Sequence, residues 1–149
     1  MMQTPCSDYR ETEGLMFFAR MLDKIRLHNR DLLAPSYDVT VSDPTGFNAR
    51  CAKFLQINYE ELVARTLAGG SDEEILHWCF EHGRRPSAEE IHVWNAYITK
   101  RGWQDESTAS LHEAKQQLGF GSRDDIETWV DLHDADEGRM PRYAQRKHG

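Results

Sequence analysis

Three stretches of this chain open in the same way. Ser71, Ser87 and Ser122 are each followed at +2 and +3 by acids, at +4 by Ile and at +7 by Trp. The sets are Glu73, Glu74, Ile75 and Trp78; Glu89, Glu90, Ile91 and Trp94; and Asp124, Asp125, Ile126 and Trp129. Asn58 begins a shorter version with Glu60, Glu61 and Leu62. A Ser or Asn oxygen accepts a backbone N–H of a first helical turn. The acid at +3 reaches back to the cap's own N–H, and both acids favour the positive helix end. Ile and Trp, three apart, then share the buried face. Helix starts are therefore predicted at Asn58, Ser71, Ser87 and Ser122. Their unequal spacing excludes a solenoid period.

The stops agree with the starts. Gly69, Gly70, Gly83, Gly102 and Gly119 follow the periodic stretches, as left-handed residues after a helix should. Trp103, just past Gly102, is expected to pack back on Ile98. Upstream, Leu15, Phe18, Leu22 and Ile25 recur at helical spacing until Pro35 intervenes. Asp43 and Pro44 read as the cap and first residue of a further helix. Tyr37, Val39 and Val41 alternate, but a lone strand has nothing to pair with, so 36–43 is read as an extended loop.

The expectation is an all-α fold, a compact single domain. About seven short helices lie near 15–33, 44–57, 59–69, 72–82, 88–101, 108–118 and 123–133, joined by tight Gly turns. A loose arm over 1–13 precedes the helical domain of 14–138, and a basic flexible tail over 139–149 follows it.

Charge narrows the partners. The 149 residues carry 18 basic and 25 acidic groups, a formal charge of −7. The tail holds Arg139, Arg142, Arg146 and Lys147 and no acid, so residues 1–138 hold 14 basic groups against 25 acidic, a charge of −11. Such a body repels polyphosphate, which disfavours nucleic acid. No apolar run approaches the length of a membrane span. No basic region followed by an apolar stretch marks a secretory signal near Met1. Cys6, Cys51 and Cys79 are odd in number and widely spaced, which fits a reducing cytoplasm.

Few residues stand out chemically. Glu74 with His77 and Glu89 with His92 match the Glu-x-x-His spacing of di-metal helical bundles. Aligned on the repeated start, however, the two histidines differ by one position, about 100° around a helix, and Glu74 has a capping role. No metal and no cofactor is expected. His28 lies inside the apolar stripe of the first helix, either as a half-buried structural group or as a base titrating near neutrality. With Asp23, Tyr37 and Asp38 it forms a candidate acid–base set between the first helix and the 36–43 loop. Asn95, beside Trp94 and near Trp78, is a candidate for ligand orientation, or for tying down the loop at Tyr37 and Asp38. Nucleotide-binding glycine motifs, zinc-protease helices, serine-hydrolase elbows and calcium loops are all missing.

The stretch from Arg20 through His28, the segment from Phe54 to Trp78 and the phrase from Ser87 to Trp103 together resemble a bacterial family, domain of unknown function 5069. The resemblance spans roughly Leu15 to Gly138. It implies a small cytoplasmic protein and brings no activity or site residue. The expected function is a non-catalytic module that binds an unidentified protein or small molecule. The alternative is a small acid–base enzyme using the set named above.

Overall fold

The computed structural model describes residues 1–142, so 143–149 of the expected basic tail lie outside the described residues, whereas Arg139 at its start is bonded to Asp134, Glu137 and Pro5 O. A two-stranded antiparallel hairpin, β1 (Glu11–Thr12) and β2 (Leu15–Met16), leads into α1 (Phe18–Asn29). Six helices follow among the described residues: α2 (Phe47–Leu55), α3 (Tyr59–Leu67), α4 (Asp72–His82), α5 (Ala88–Lys100), α6 (Thr108–Gln117) and α7 (Trp129–Asp136). The fold is all-α apart from the hairpin. No helix among the described residues is long and apolar enough to cross a membrane.

The main core forms around α1, whose Phe18, Met21, Leu22 and Ile25 are buried with Cys51, Leu55, Leu62, Ile75, Cys79 and Ile98. A smaller core of Leu111, Ile126 and Leu132 sits beside it under α6 and α7. Unusually, α1 also buries Arg20 and Lys24. Charges that deep need partners, and these come from the chain on either side of the helix.

The first thirteen residues are not a loose arm. Pro5, Asp8 and Thr12 are buried, Phe17 N–H donates to Asp8 O, and Gln3 N–H donates to Leu32 O. Their polarity, which suggests looseness in the sequence, is consumed by contacts with α1. The hairpin takes residues 15–16 out of the expected first helix. It is fastened by Asn95, whose Oδ1 accepts from Met16 N–H and whose Nδ2 donates to Gly14 O, and by Trp94, whose indole N–H donates to Met16 O. Asn95 is thus a structural tie, but to the hairpin and not to the 36–43 loop.

Three of the four starts are as expected. The Asn58, Ser71 and Ser87 side chains accept from Glu61, Glu74 and Glu90 N–H, and both serines complete a capping box. Ser122 does not cap a helix. The Lys115 ammonium takes the Arg123 and Ile126 carbonyls and holds 123–126 in a non-helical turn. Arg123 also takes the Asp125 carboxylate through two hydrogen bonds. The start moves to Thr128, whose Oγ1 accepts from Asp131 N–H. Asp43 likewise does not cap; it closes a turn on Thr45, and α2 begins after Gly46. Ser71→Ala and Ser87→Ala should therefore each cost about 0.5–2 kcal/mol in urea melts. Thr128→Ala should cost a similar amount, and Ser122→Ala should be indistinguishable from wild type.

Gly69, Gly70, Gly102 and Gly119 have positive φ as expected, but Gly83 has φ −120°. Its role is close approach: a Cβ there would lie 2.0 Å from Leu55 O. Trp103 does not return to the core either; it is 49% exposed.

Candidate functional site

The place between α1 and the 36–43 loop does gather chemistry, though mostly through other residues than those expected. Arg20, on the inner face of α1, donates through both terminal nitrogens to the Glu137 carboxylate, each at 2.8 Å. A third bond runs from Arg20 to Cys6 O, and its Nε lies 3.7 Å from Asp8 Oδ2. The Glu137 side chain is 2% exposed. It also accepts from Tyr37 Oη at 2.7 Å and from Arg139 at 2.5 Å. Arg139 continues to Pro5 O. One guanidinium and one carboxylate thus join α1, the N-terminal segment, the 36–43 loop and the end of α7.

The charges respond accordingly. Burial opposes ionisation of Glu137, but the Arg20 hydrogen bonds and charge outweigh it and hold the carboxyl below its usual range. Burial also opposes the Arg20 charge, and Glu137 and Asp8 more than restore it. Burial, followed by the hydrogen bond to Glu137, pushes the Tyr37 phenol up. Such mutual pairing is what permits buried ions to persist.

One helical turn further, Lys24 donates to Asp38 O and Asn48 Oδ1, both at 3.0 Å. Asn48 in turn donates to Asp38 O and Thr40 O. Burial, then the Arg20 charge, lowers the Lys24 ammonium from 10.5 to about 8. In an unfolded chain the proton is kept to about 10.5, so between these values the unfolded state binds more protons. Lys24 alone therefore makes stability rise with pH across that window. The thiols act in the opposite sense. Burial pushes Cys6 and Cys79 from 9.0 to about 12 and Cys51 higher still, which lowers stability above pH 9. The difference between wild type and Lys24→Met isolates the ammonium. That difference should climb by about 2 kcal/mol from pH 8 to 10 in urea melts, and a flat difference would mean that the ammonium is not desolvated.

Among the expected acid–base residues only Tyr37 joins this centre through its side chain. Asp38 contributes its carbonyl, while its carboxylate is exposed and accepts from Thr40 N–H and Oγ1. Asp23 accepts from Cys6 N–H and faces Arg26. His28 is exposed, not half-buried. Of the second set, Trp94 and Asn95 hold the hairpin, and Trp78 stacks on His82 at 4.4 Å between ring centroids. Glu74 is used by its capping box, and His77 pairs with Glu13 at 2.7 Å. Among the described residues no group of three or more His, Cys, Asp or Glu is placed to hold a metal.

The sequence reading missed Asp8, Arg20, Lys24, Asn48, His133 and Glu137. One signal was available: Arg20 and Lys24, four apart, sit among Phe18, Met21, Leu22 and Ile25, where a solvated charge has no place.

A separate feature is an open cleft of about 440 Å³ between the α5–α6 turn, α6 and the segment 121–127. Trp103, His112, Lys115 and Arg123 are among the residues that line it.

The class defined by this geometry is a small all-α domain whose ends are clamped together by buried charges. More particularly, the chain belongs to the family described as domain of unknown function DUF5069, whose model matches residues 2–139. Asp8, Arg20 and Glu137 all fall inside the match. No curated protein matches the chain.

Proposed function

We propose that this chain is a non-catalytic cytoplasmic binding module that takes a small molecule in the Trp103 cleft. The observation that carries the reading is Trp103 itself. Trp94 and Trp129 have their indole N–H groups bonded to Met16 O and Ser107 Oγ. Trp103 instead stands 49% exposed at an open cleft. The ring and Ile126 supply the apolar surface of a cleft whose remaining side chains, among them Gln104, Thr108, His112 and Glu127, are polar and would orient a ligand. The buried charged centre supports the same reading from the other side. Arg20, Lys24 and Glu137 are bonded to the chain's own groups, which leaves them little with which to engage a substrate. The three unpaired cysteines support a reducing compartment.

The test is an NMR titration with small neutral aromatic fragments, phenol, indole and benzamide. The Trp103 indole N–H should shift saturably, and the shift should vanish in Trp103→Ala. That variant should keep the wild-type urea midpoint, because the ring is half exposed. Fragments that leave the Trp103 resonance unmoved, or that bind Trp103→Ala equally well, would refute the reading.

A further inference from the structure

The turn that carries Trp103 is bonded throughout. Asp105 accepts from Gly102 N–H and from the N–H and Oγ of Ser107, at 2.7–2.8 Å. Thr108 Oγ1 donates to Gly102 O at 2.8 Å and accepts from Asp105 N–H at 2.9 Å. Gly102 has φ +101° and packs so closely that a Cβ there would lie 2.9 Å from Leu111 Cδ2. Gln104, on the other side of Trp103, has φ +49°, a left-handed conformation that costs a non-glycine residue. The indole thus stands at the surface between two left-handed residues, in a turn whose own bonds fix it. The 121–127 wall is fixed as well, by Lys115 on the Arg123 and Ile126 carbonyls. Binding in this cleft therefore orders little that is not ordered already.

The lining is electrically balanced. Two bases, Lys115 and Arg123, stand against two acids, Asp124 and Glu127. Both bases are already bonded, Lys115 to the two carbonyls and Arg123 to the Asp125 carboxylate, so nothing there selects an anion. A ligand meets the half-exposed Trp103 ring and the exposed side chains of Gln104, His112 and Ser122. None of these four side chains has a hydrogen-bond partner among the described residues.

One flat ring covers one face of a ligand. A planar aromatic molecule on Trp103 leaves its second apolar face wet. A pyranose with equatorial hydroxyls lays a C–H face on the ring and turns its hydroxyls to the rim. The amide, imidazole and hydroxyl at that rim each both donate and accept, which matches a row of neighbouring hydroxyls that do the same.

We propose that the Trp103 cleft binds a neutral saccharide, with a pyranose ring laid on the indole and its hydroxyls met by Gln104, His112 and Ser122. This assignment rests on the cleft reading and narrows it to one ligand class. The volume of about 440 Å³ lies in the range of small-ligand pockets.

The experiment is an NMR titration of the full chain with cellobiose. Cyclohexanol serves as the ring without the crown of hydroxyls, and glycerol as the hydroxyls without the ring. Cellobiose should shift the Trp103 indole N–H and the Gln104 side-chain amide saturably, and each control should bind at least about tenfold more weakly. Gln104→Ala and His112→Ala, both at exposed positions, should each weaken cellobiose by about three- to tenfold, the loss of one neutral hydrogen bond. Both should bind indole as the wild type does, and Trp103→Ala should bind neither. Equal binding of cyclohexanol, or cellobiose affinity unchanged in both Gln104→Ala and His112→Ala, would overturn the proposal. Indole binding at Trp103 without any response to cellobiose would also overturn it and leave the cleft reading standing. A Trp103 resonance silent to every probe would sink both.

Discussion

Replacing Arg20 by Met should lower the unfolding free energy by about 3–5 kcal/mol. Methionine keeps an apolar stem in place of the aliphatic part of arginine, so most of the loss is electrostatic, with a smaller contribution from the space the buried guanidinium vacates. Without Arg20, the Glu137 carboxylate keeps only Tyr37 and the partly exposed Arg139. Asp8 keeps its hydrogen bond to His133 but loses the guanidinium beside it. Removing one partner of a buried ion pair is worse than never having built it, because the other charge stays desolvated. The effect should also be spatially broad. Residues 1–10, the 36–43 loop and the end of α7 all meet at this guanidinium. Amide exchange in all three segments should rise together in the variant.

Gly83→Ala is expected to be the other severe change, at about 3 kcal/mol. The collision is with backbone, since the new Cβ would lie 2.0 Å from Leu55 O and 2.7 Å from Gln56 O. Neither can swing aside as a side-chain tip would. The end of α4 would have to move away from the end of α2, breaking the bond from Arg84 N–H to Leu55 O. Gly119→Ala makes the matching control. Gly119 has φ +82° and open space around its Cα, so Ala there meets only the left-handed backbone penalty, about 1–2 kcal/mol. Urea melts of the two variants separate steric from conformational need. Equal losses would show that Gly83 is not tightly packed.

What was legible in the sequence was local. Caps at Asn58, Ser71 and Ser87 are read from one turn of chain, and the helices that follow them stand where the periodicity puts them. Ser122 shares every letter of that pattern and fails. Lys115, on α6, captures the Arg123 and Ile126 carbonyls, a competitor that no local window contains. Gly83 fails as a left-handed residue for the same reason: its constraint comes from α2. The N-terminal hairpin was hidden because two-residue strands have no periodicity, and its bonds run to Asn95 and Trp94 on α5. Tyr37 and the loop lie at the charged centre, but its other members come from three further segments. Asp8 and Glu137 are ordinary surface acids in the sequence. Only the fold sets both against Arg20.

These buried charges fasten the fold, with Arg20, Asp8, Tyr37, Glu137 and Arg139 joined across four segments. A double-mutant cycle on Arg20 and Glu137 tests this most directly, with Arg20→Met, Glu137→Gln and the double variant compared in urea melts. A structural clamp predicts that each single variant is strongly destabilised and that the two changes couple by about 2–3 kcal/mol. Polar groups kept for catalysis commonly strain the fold, and their removal often leaves it as stable or more so. Single variants at or above wild-type stability, with coupling near zero, would contradict a structural clamp and favour a catalytic use of these charges.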